Sequence, residues 1–436
     1  MDRPIFPTVR GFTHANARGP VAIPQPLPNM SLAPIQLLTV NSGSTSVKFS
    51  MYGLGQNERR LLSARCEGVG QAQGRCLVED ESGRILLDNT FSIADHVAAA
   101  HRFLDWLTHH SCGFCIDGIG HRLVHGGTRF ADPVLLTPEI EEELGGLRQL
   151  DPEHLVPELK VVHVLREMFP GTPQVACFDT AFHRSVPRLA RIMPIPRELT
   201  DQGVLRYGSH GLSYQFLMEE LAHEAGNASA HGRVVLAHLG GAASMAAVHE
   251  GRCVDATNGF VPNGGLMMGS RAGDLCPGVI LHLLLQRHMT PAEVNHLVNF
   301  QSGLLGVSKL SRDMRELLRT ASTHPHAAEA IDLFCYQARK HLGALVAVLG
   351  GIDTLVFSGG IGQHAPVIRR KICDEMGYLG LHLDPARNRQ NAPVISSDDS
   401  RVCVRVIATN EERVIARETG RIVRSAAARV VEAGAF

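Results

Sequence analysis

Residues 35–52 read IQLLTVNSGSTSVKFSMY, and this stretch decides the fold class. Leu37 to Val40 is a short apolar run, Asn41 to Thr45 carries turn chemistry, and Ser46 to Tyr52 roughly alternates between apolar and polar again. Strand, Gly/Ser turn, strand is the expected order. The same grammar returns about two hundred residues later. Val234 to His238 is a run, Leu239 to Ala243 a turn, and Ser244 to His249 resumes. A duplicated unit, one copy per half, and two unrelated hairpins are both compatible with these residues. Further on, residues 330–349 (AIDLFCYQARKHLGALVAVL) place apolar side chains at three- and four-residue steps and predict a long helix. Gly350 and Gly351 end it, Thr354 to Phe357 reads as a strand, Ser358 to Gly362 as a Gly-rich turn, and a helix is expected through Arg369 and Ile372. Glu411 to Val431 reads as a closing helix. Alternating helix and strand of this kind is α/β grammar, with ligands expected at the carboxyl ends of strands.

The chain has 436 residues, which favours two domains. Lys and Arg number 42 against 43 Asp and Glu, a balance that offers no electrostatic footprint for nucleic acid or an anionic membrane. No apolar stretch approaches the ~20 residues needed to cross a bilayer. Residues 1–34 hold seven of the 23 prolines and show no periodicity, so a mobile N-terminal extension is expected there. Met30, just before the first strand, is an alternative translation start. No apolar h-region follows the N-terminal charges, so the expected location is cytoplasmic. The ten cysteines are scattered apart from the lone pair Cys112 and Cys115, which reads as two buried thiols rather than a zinc or redox site. The 23 histidines form no HExxH motif.

Three glycine turns follow apolar strands, at Asn41–Thr45, Gly240–Ala243 and Gly359–Gly362. Backbone N–H groups in such turns can converge on phosphate oxygens, and glycine lets the phosphate approach. None is a P-loop, and no GxGxxG follows a strand, which sets aside a Walker NTPase and a pyridine-nucleotide enzyme. Arg122 lies in GHRLVHGG (120–127), Asp179 in CFDTAFH (177–183), His210 in RYGSHG (206–211) and Arg271 in GSRAGD (269–274). An arginine between small residues can reach a ligand with a fork that matches carboxylate or phosphate. Two such arginines, an isolated histidine and an Asp suit phosphoryl transfer, in which charge spreads over the moving group's oxygens.

These segments resemble the acetate and propionate kinase family, within the sugar-kinase, heat-shock chaperone and actin superfamily. The likeness runs from about Gln36 to Val423. VNSGSTSVKF, GHRLVHGG, FDTAFH, RYGSHG, HLGGAAS, MMGSRAGD, SGLLGVSKLSRDMR and FSGGIGQHAPVIR occur in the family's order, closed by TNEERVIARET. The resemblance implies an α/β protein of two duplicated ribonuclease-H-like domains, of the actin and sugar-kinase type, with a cleft between them. Residues 36–180 would form the first, 181–411 the second, and 412–436 a closing helix packed back on the first. It also implies a homodimer and reversible, Mg²⁺-dependent transfer (Mn²⁺ substituting) from ATP to acetate, giving ADP and acetyl phosphate. By motif position, Asn41 and Glu411 would serve the metal, and Lys48 would face nucleotide phosphate. Arg122 and Arg271 would hold the carboxylate and the transferring group, His210 would stabilise the transition state, and Asp179 would position the arginine and metal shell. The nucleotide would be lined by His238, Leu239, Gly240, Gly241 and Ala242, by Asp313, Met314 and Arg315, and by Gly360, Ile361, Gly362, Gln363 and His364. Val124 and Pro262 would enclose acetate's methyl group. The chemistry is consistent, because a carboxylate is already ionised at pH 7 and needs charge compensation rather than a general base.

The chain departs from the family pattern at several positions. Glu153 stands where a pocket leucine is usual, Leu155 at an asparagine, and Ser209 at a phenylalanine. His154 keeps its usual place, and Tyr214 replaces a histidine. Residues 238–242 lack the usual asparagine, and Gln363 and His364 replace a Glu-Asn pair. A wetter or larger pocket would admit propionate or a substituted acid. A buried Glu153 must point away or find a partner. The reading from another class is a catalytically inactive nucleotide-binding module.

Overall fold

The computed structural model describes residues 34–43, 45–110 and 114–433. The expected N-terminal extension lies outside the described residues except for Pro34, as does Cys112 of the cysteine pair. Two sheets organise the chain. The first contains β1 (Ile35–Ser42), β2 (Ser46–Leu54), β3 (Glu58–Glu67), β4 (Gln71–Asp80), β5 (Ile85–Ile93), β6 (Gly118–Leu123), β7 (Val134–Leu135) and β8 (Gln174–Phe178). The second contains β9 (Arg233–Leu239), β10 (Ala243–His249), β11 (Arg252–Ala256), β12 (Thr354–Ser358) and β13 (Cys403–Val406).

The strand order is β5-β4-β3-β2-β1-β6-β8-β7 in one sheet and β11-β10-β9-β12-β13 in the other. Each therefore has an antiparallel meander, β1–β3 or β9–β11, whose first strand pairs in parallel with the next strand inward. That strand pairs in parallel with the one after it, β6 with β8 and β12 with β13. The two sheets repeat one ribonuclease-H-like topology, which resolves the choice left by the sequence in favour of duplication. The first copy carries an extra hairpin, β4–β5, that the turn signals did not announce.

Side chains of the second sheet alternate between two cores. Val235, Ala237, Leu239, Leu355 and Phe357 face Phe334, Ala338 and Leu342 of the long helix Pro325–Leu349. Val234, Leu236 and Val356 point the other way, against Leu217 and Leu221 and against Val414 and Ile415. This period of two makes β9 and β12 almost wholly apolar, as central strands buried on both faces must be. Each fully buried Val or Leu contributes roughly 1.5–3 kcal/mol. The closing helix, Glu411–Ala433, lies across β1, β6 and β8 and touches the helix Gly211–Ala225. Its first turn is thereby delivered to the carboxyl end of β1.

Two local readings change. Residues 359–362, expected as a turn, begin a helix, Gly359–His364, directly at the end of β12. Its first glycine adopts φ +73°, and a Cβ there would sit 2.6 Å from the Leu239 carbonyl oxygen. Glycine thus lets the helix start against the end of β9 rather than after a loop. Cys66 and Cys76, two of the scattered cysteines, face each other in register across β3 and β4 and are joined as a disulfide.

Candidate active site

Arg122 leaves the end of β6 and is held by the elements on either side. Its Nε and Nη2 donate to Asp179 Oδ2 at 3.0 and 2.6 Å, and Nη1 donates to the Ser42 carbonyl at 2.8 Å. Nη1 also approaches Asn41 Oδ1 at 3.4 Å. Asp179 follows β8 and is 1% exposed. Burial alone would weaken the guanidinium's hold on its proton, but Asp179, Glu411 and Glu158 raise its pKa instead. Arg122 is permanently charged and aimed by two strand ends.

His210 sits where backbone geometry is least comfortable for its type. It adopts φ 56°, ψ 27° immediately before the helix Gly211–Ala225. A Cβ on Gly211 would lie 1.9 Å from the Asp179 carbonyl oxygen, so only glycine permits this approach of helix to β8. A left-handed histidine next to an ion-paired aspartate is strain of the kind that gathers at functional sites. Its ring stacks on His238 at 4.4 Å and 11°. His210 Nδ1 lies 2.7 Å from Ser244 Oγ, and Ser244 Oγ lies 2.5 Å from the Tyr214 hydroxyl. Burial, then His238, Arg122 and Arg271, drive its pKa well below the usual imidazole value. His238 is lowered too, chiefly by burial, and its Nδ1 meets Ser213 Oγ at 2.8 Å. The two stacked rings are neutral.

Arg271 lies across from this group. Its Nη2 donates to His154 Nε2 at 3.1 Å and Nη1 to the Pro262 carbonyl at 3.4 Å. Because His154 accepts at Nε2, its proton is on Nδ1, which meets both oxygens of Asp151 at 2.9 and 3.1 Å. Asp151 and His154 therefore orient Arg271. Burial lowers the Arg271 pKa, Asp151 and Glu153 oppose that, and Arg122 adds to it. Glu153 does find a partner, accepting from Asn295 Nδ2 at 3.3 Å. Ser209 Oγ donates to Asn258 Oδ1 at 2.8 Å. The buried Val124 offers its N–H to Glu158 Oε2 at 3.0 Å.

The loops expected to hold nucleotide adjoin one another. Gly269 N donates to the Gly241 carbonyl at 2.9 Å, and a Cβ on Gly240 would lie 3.9 Å from Gly360 N. His238 and Leu239 end β9, Gly240 to Ala242 form its turn, and Ile361 to His364 complete the short helix that faces it. That helix is closed from behind by Arg369, fully buried, whose Nη1 donates to the carbonyls of Gly362 and Gln363 at 2.7 Å each. Asp313 caps the helix Met314–Thr320 and pairs with Arg315, which projects into solvent, while the Met314 side chain lies in the core. Lys48 stands opposite Asn41 across β1 and β2, with Nζ 3.5 Å from Glu412. Glu412, then Glu411, raise its pKa. Asn41 Nδ2 donates to Glu411 Oε2 at 2.7 Å and Glu412 Oε1 at 3.0 Å.

Sequence reasoning missed four supporting residues. Glu412 and Ser244 lay inside quoted motifs, and Asp151 and Tyr214 at places where the chain departs from the family. Asp151 holds a near neighbour, His154, whereas only contacts across the fold reveal what Glu412, Ser244 and Tyr214 meet.

Comparison with known proteins shows the family and the fold. The Acetokinase family profile matches residues 36–417. An acetate kinase of Rhodopseudomonas palustris is 44% identical over 392 residues, covering 88% of this chain and 98% of the relative. The crystal structure of Porphyromonas gingivalis acetate kinase superposes with a TM-score of 0.78 at 33% identity, covering 89% of this chain and 100% of the other. A propionate kinase from Francisella tularensis does so with a TM-score of 0.81 at 31% identity, covering 89% and 100%.

Proposed function

The chain belongs to the acetokinase family, and from that premise we infer that it moves the γ-phosphoryl group of ATP to acetate, reversibly, giving acetyl phosphate and ADP by direct in-line transfer. The observation that carries this reading is the pair of fixed guanidinium groups, Arg122 on Asp179 and Arg271 on His154, whose charges both bear on the buried imidazole of His210. Two anions must meet in this reaction, and guanidinium groups fixed by Asp179 and by His154 supply compensation without reorganising. Asp179 touches Arg122 through one oxygen, which suits orientation rather than nucleophilic attack. Acetate, ionised at pH 7, attacks phosphorus itself, with Val124 and Pro262 beside its methyl group. His210 donates a hydrogen bond to the transferring group.

The residues present fit Mg²⁺. Asn41 and Glu411 offer an amide and a carboxylate, hard oxygen donors suited to an ion that keeps several waters and binds substrate phosphates. Glu411 also acts to raise the pKa of Arg122, Lys48 and His238, which marks it as a focus of negative potential in the cleft. When bound, the ion supplies Lewis-acid neutralisation of the phosphate charge. Lys48 faces the nucleotide phosphates, and the loops at His238–Ala242, Asp313–Arg315 and Gly360–His364 line the nucleotide.

A homodimer is supported by Leu275, Val279, Leu281 and Leu285, exposed together along one segment. Sedimentation of the purified chain as a monomer at micromolar concentration would end that reading. No helix among the described residues is long and apolar enough to cross a membrane, and dependence on ATP favours the cytoplasm. The division into residues 36–180, 181–411 and 412–436 is supported by the two sheets and by the helix that lies back on the first.

The deciding assay is acyl hydroxamate formation from a panel of carboxylic acids with ATP, Mg²⁺ and hydroxylamine. Acetate should give the highest kcat/KM. Propionate in first place would favour the second reading, which the polar Ser209 and Glu153 motivate. Nucleotide binding without any hydroxamate would leave an inactive module.

A further inference from the structure

The reaction needs a hydrogen donor at His210, and a neutral imidazole carries its single proton on either nitrogen. Three buried groups bear on which. The Tyr214 hydroxyl has one hydrogen-bond partner among the described residues, Ser244 Oγ at 2.5 Å. Ser244 Oγ has two, Tyr214 and His210 Nδ1 at 2.7 Å. Tyr214 and Ser244 are both 0% exposed. Ser209 Oγ also approaches Nδ1, at 3.4 Å, but its proton is committed to Asn258 Oδ1.

Only one arrangement of protons leaves neither hydroxyl proton stranded. If His210 carried its proton on Nδ1 and gave it to Ser244, the serine hydroxyl would turn to Tyr214. The phenolic O–H would then face no acceptor. With both His210 and Tyr214 donating to Ser244, the serine proton would be stranded instead. When Tyr214 donates to Ser244 and Ser244 donates to Nδ1, both hydroxyl protons have acceptors, and the ring proton is left on Nε2, which is not among the fully buried side-chain atoms without a partner. A stranded buried donor costs its full desolvation penalty, so this arrangement prevails.

We propose that Tyr214, acting through the Ser244 hydroxyl, fixes the proton of His210 on Nε2 and so makes that nitrogen the donor presented to the transferring phosphoryl group. The inference rests on the carboxylate-kinase reading for its purpose, but not for its geometry. Tyr214 and Ser244 are positioning residues. Nε2 has no protein hydrogen bond among the described residues, and the neighbouring guanidinium groups and burial keep the ring from taking a second proton.

The test uses the full chain labelled with ¹⁵N-histidine, with His210 assigned by the signals lost in His210→Asn. Wild type should show Nδ1 unprotonated and Nε2 protonated. Tyr214→Phe keeps the ring and its packing, and should give mixed tautomers and a kcat lowered about tenfold, with KM for acetate and ATP unchanged. Ser244→Ala, which removes the link itself, should lower kcat at least as far with the same unchanged KM. A wild-type proton on Nδ1, or tautomer and kcat unaltered in both variants, would overturn the relay. Wild type inactive on every acid would overturn the carboxylate reading instead, while the nitrogen signals still decide the relay.

Discussion

The β1–β2 turn and the β9–β10 turn occupy equivalent places in two sheets of the same strand order, yet they hold opposite chemistries. In the first, Asn41 faces Lys48, and around them gather Glu411, Glu412, Arg122 and Asp179, all paired ions or their partners. In the second, His238 faces Ser244, and around them gather His210, Tyr214 and glycine backbone. Burial acts on both walls, but counter-charges override it at Lys48 and Arg122, whose pKa values rise. At His210 and His238 it wins, and both stay neutral. The difference teaches how one topology makes a two-sided site: one wall gathers paired charges, which in the proposed reaction would serve metal and carboxylate, and the other presents uncharged N–H donors, which would serve phosphate. Loading both walls with cations would add repulsion and desolvation cost without adding direction.

The strongest way to break this contrast is to remove the charge that the first wall is built around. Arg122→Ala should lower kcat by on the order of 10³-fold, as loss of a preorganised charge donor does. It should also destabilise the fold by about 3–5 kcal/mol, because Asp179 would remain buried and unpaired. Near-normal turnover in hydroxamate assays would remove the residue from the mechanism. Arg122→Lys restores the charge without the fork that spans Asp179 and Ser42, and should regain stability more than rate. Next in size is Glu411→Gln, which should raise the Mg²⁺ concentration for half-maximal activity about 10–100-fold. An unchanged Mg²⁺ titration would move the ion off this wall.

The second wall is sharpened by Gly359→Ala. Its φ of +73° and the 2.6 Å approach to the Leu239 carbonyl leave no room for a methyl group. The short helix would shift against β9, raising KM for ATP roughly tenfold and costing about 1–3 kcal/mol of stability. KM for acetate should stay constant if the carboxylate is held from the other side, as proposed. A parallel rise in both would show that the walls are not separable.

Much of the first wall was legible in the sequence, because an arginine within a glycine-bearing motif and a turn after an apolar strand are conspicuous in one dimension. The duplicated topology was only half legible: the two hairpins share their order of elements but few residues, and strand order needs β6, β8, β12 and β13 in place. The second wall was hardest to read. There the Ser244 hydroxyl meets His210 Nδ1 across 34 residues of chain and the Tyr214 phenol across 30. Nothing in local spacing marks such a contact. Arg369 is another instance, since a basic residue on a helix looks like a solvent-facing charge until the carbonyls of Gly362 and Gln363 are seen to surround it.

The smallest expected effect concerns a charge that the first wall refuses. Glu158 is 2% exposed beneath Arg122, with Oε2 on the Val124 N–H and Oε1 unpartnered. Burial raises its pKa from an ordinary 4.5 to about 8; Arg122 and the Val124 N–H oppose the rise, and Asp151 and Asp179 add to it. Below about pH 4.5 the folded and unfolded chains both hold this proton. Between pH 4.5 and 8 the unfolded chain releases it while the folded one keeps it, so stability from this group falls as pH rises and levels off above 8. Glu158→Gln keeps the oxygen that meets Val124 and cannot ionise. Relative to wild type, the variant should therefore lose less Tm between pH 5 and pH 9, by roughly 5 °C. Parallel Tm-against-pH curves for the two proteins would mean that Glu158 is ionised in the folded chain at neutral pH. Arg122 would then answer two buried carboxylates rather than one.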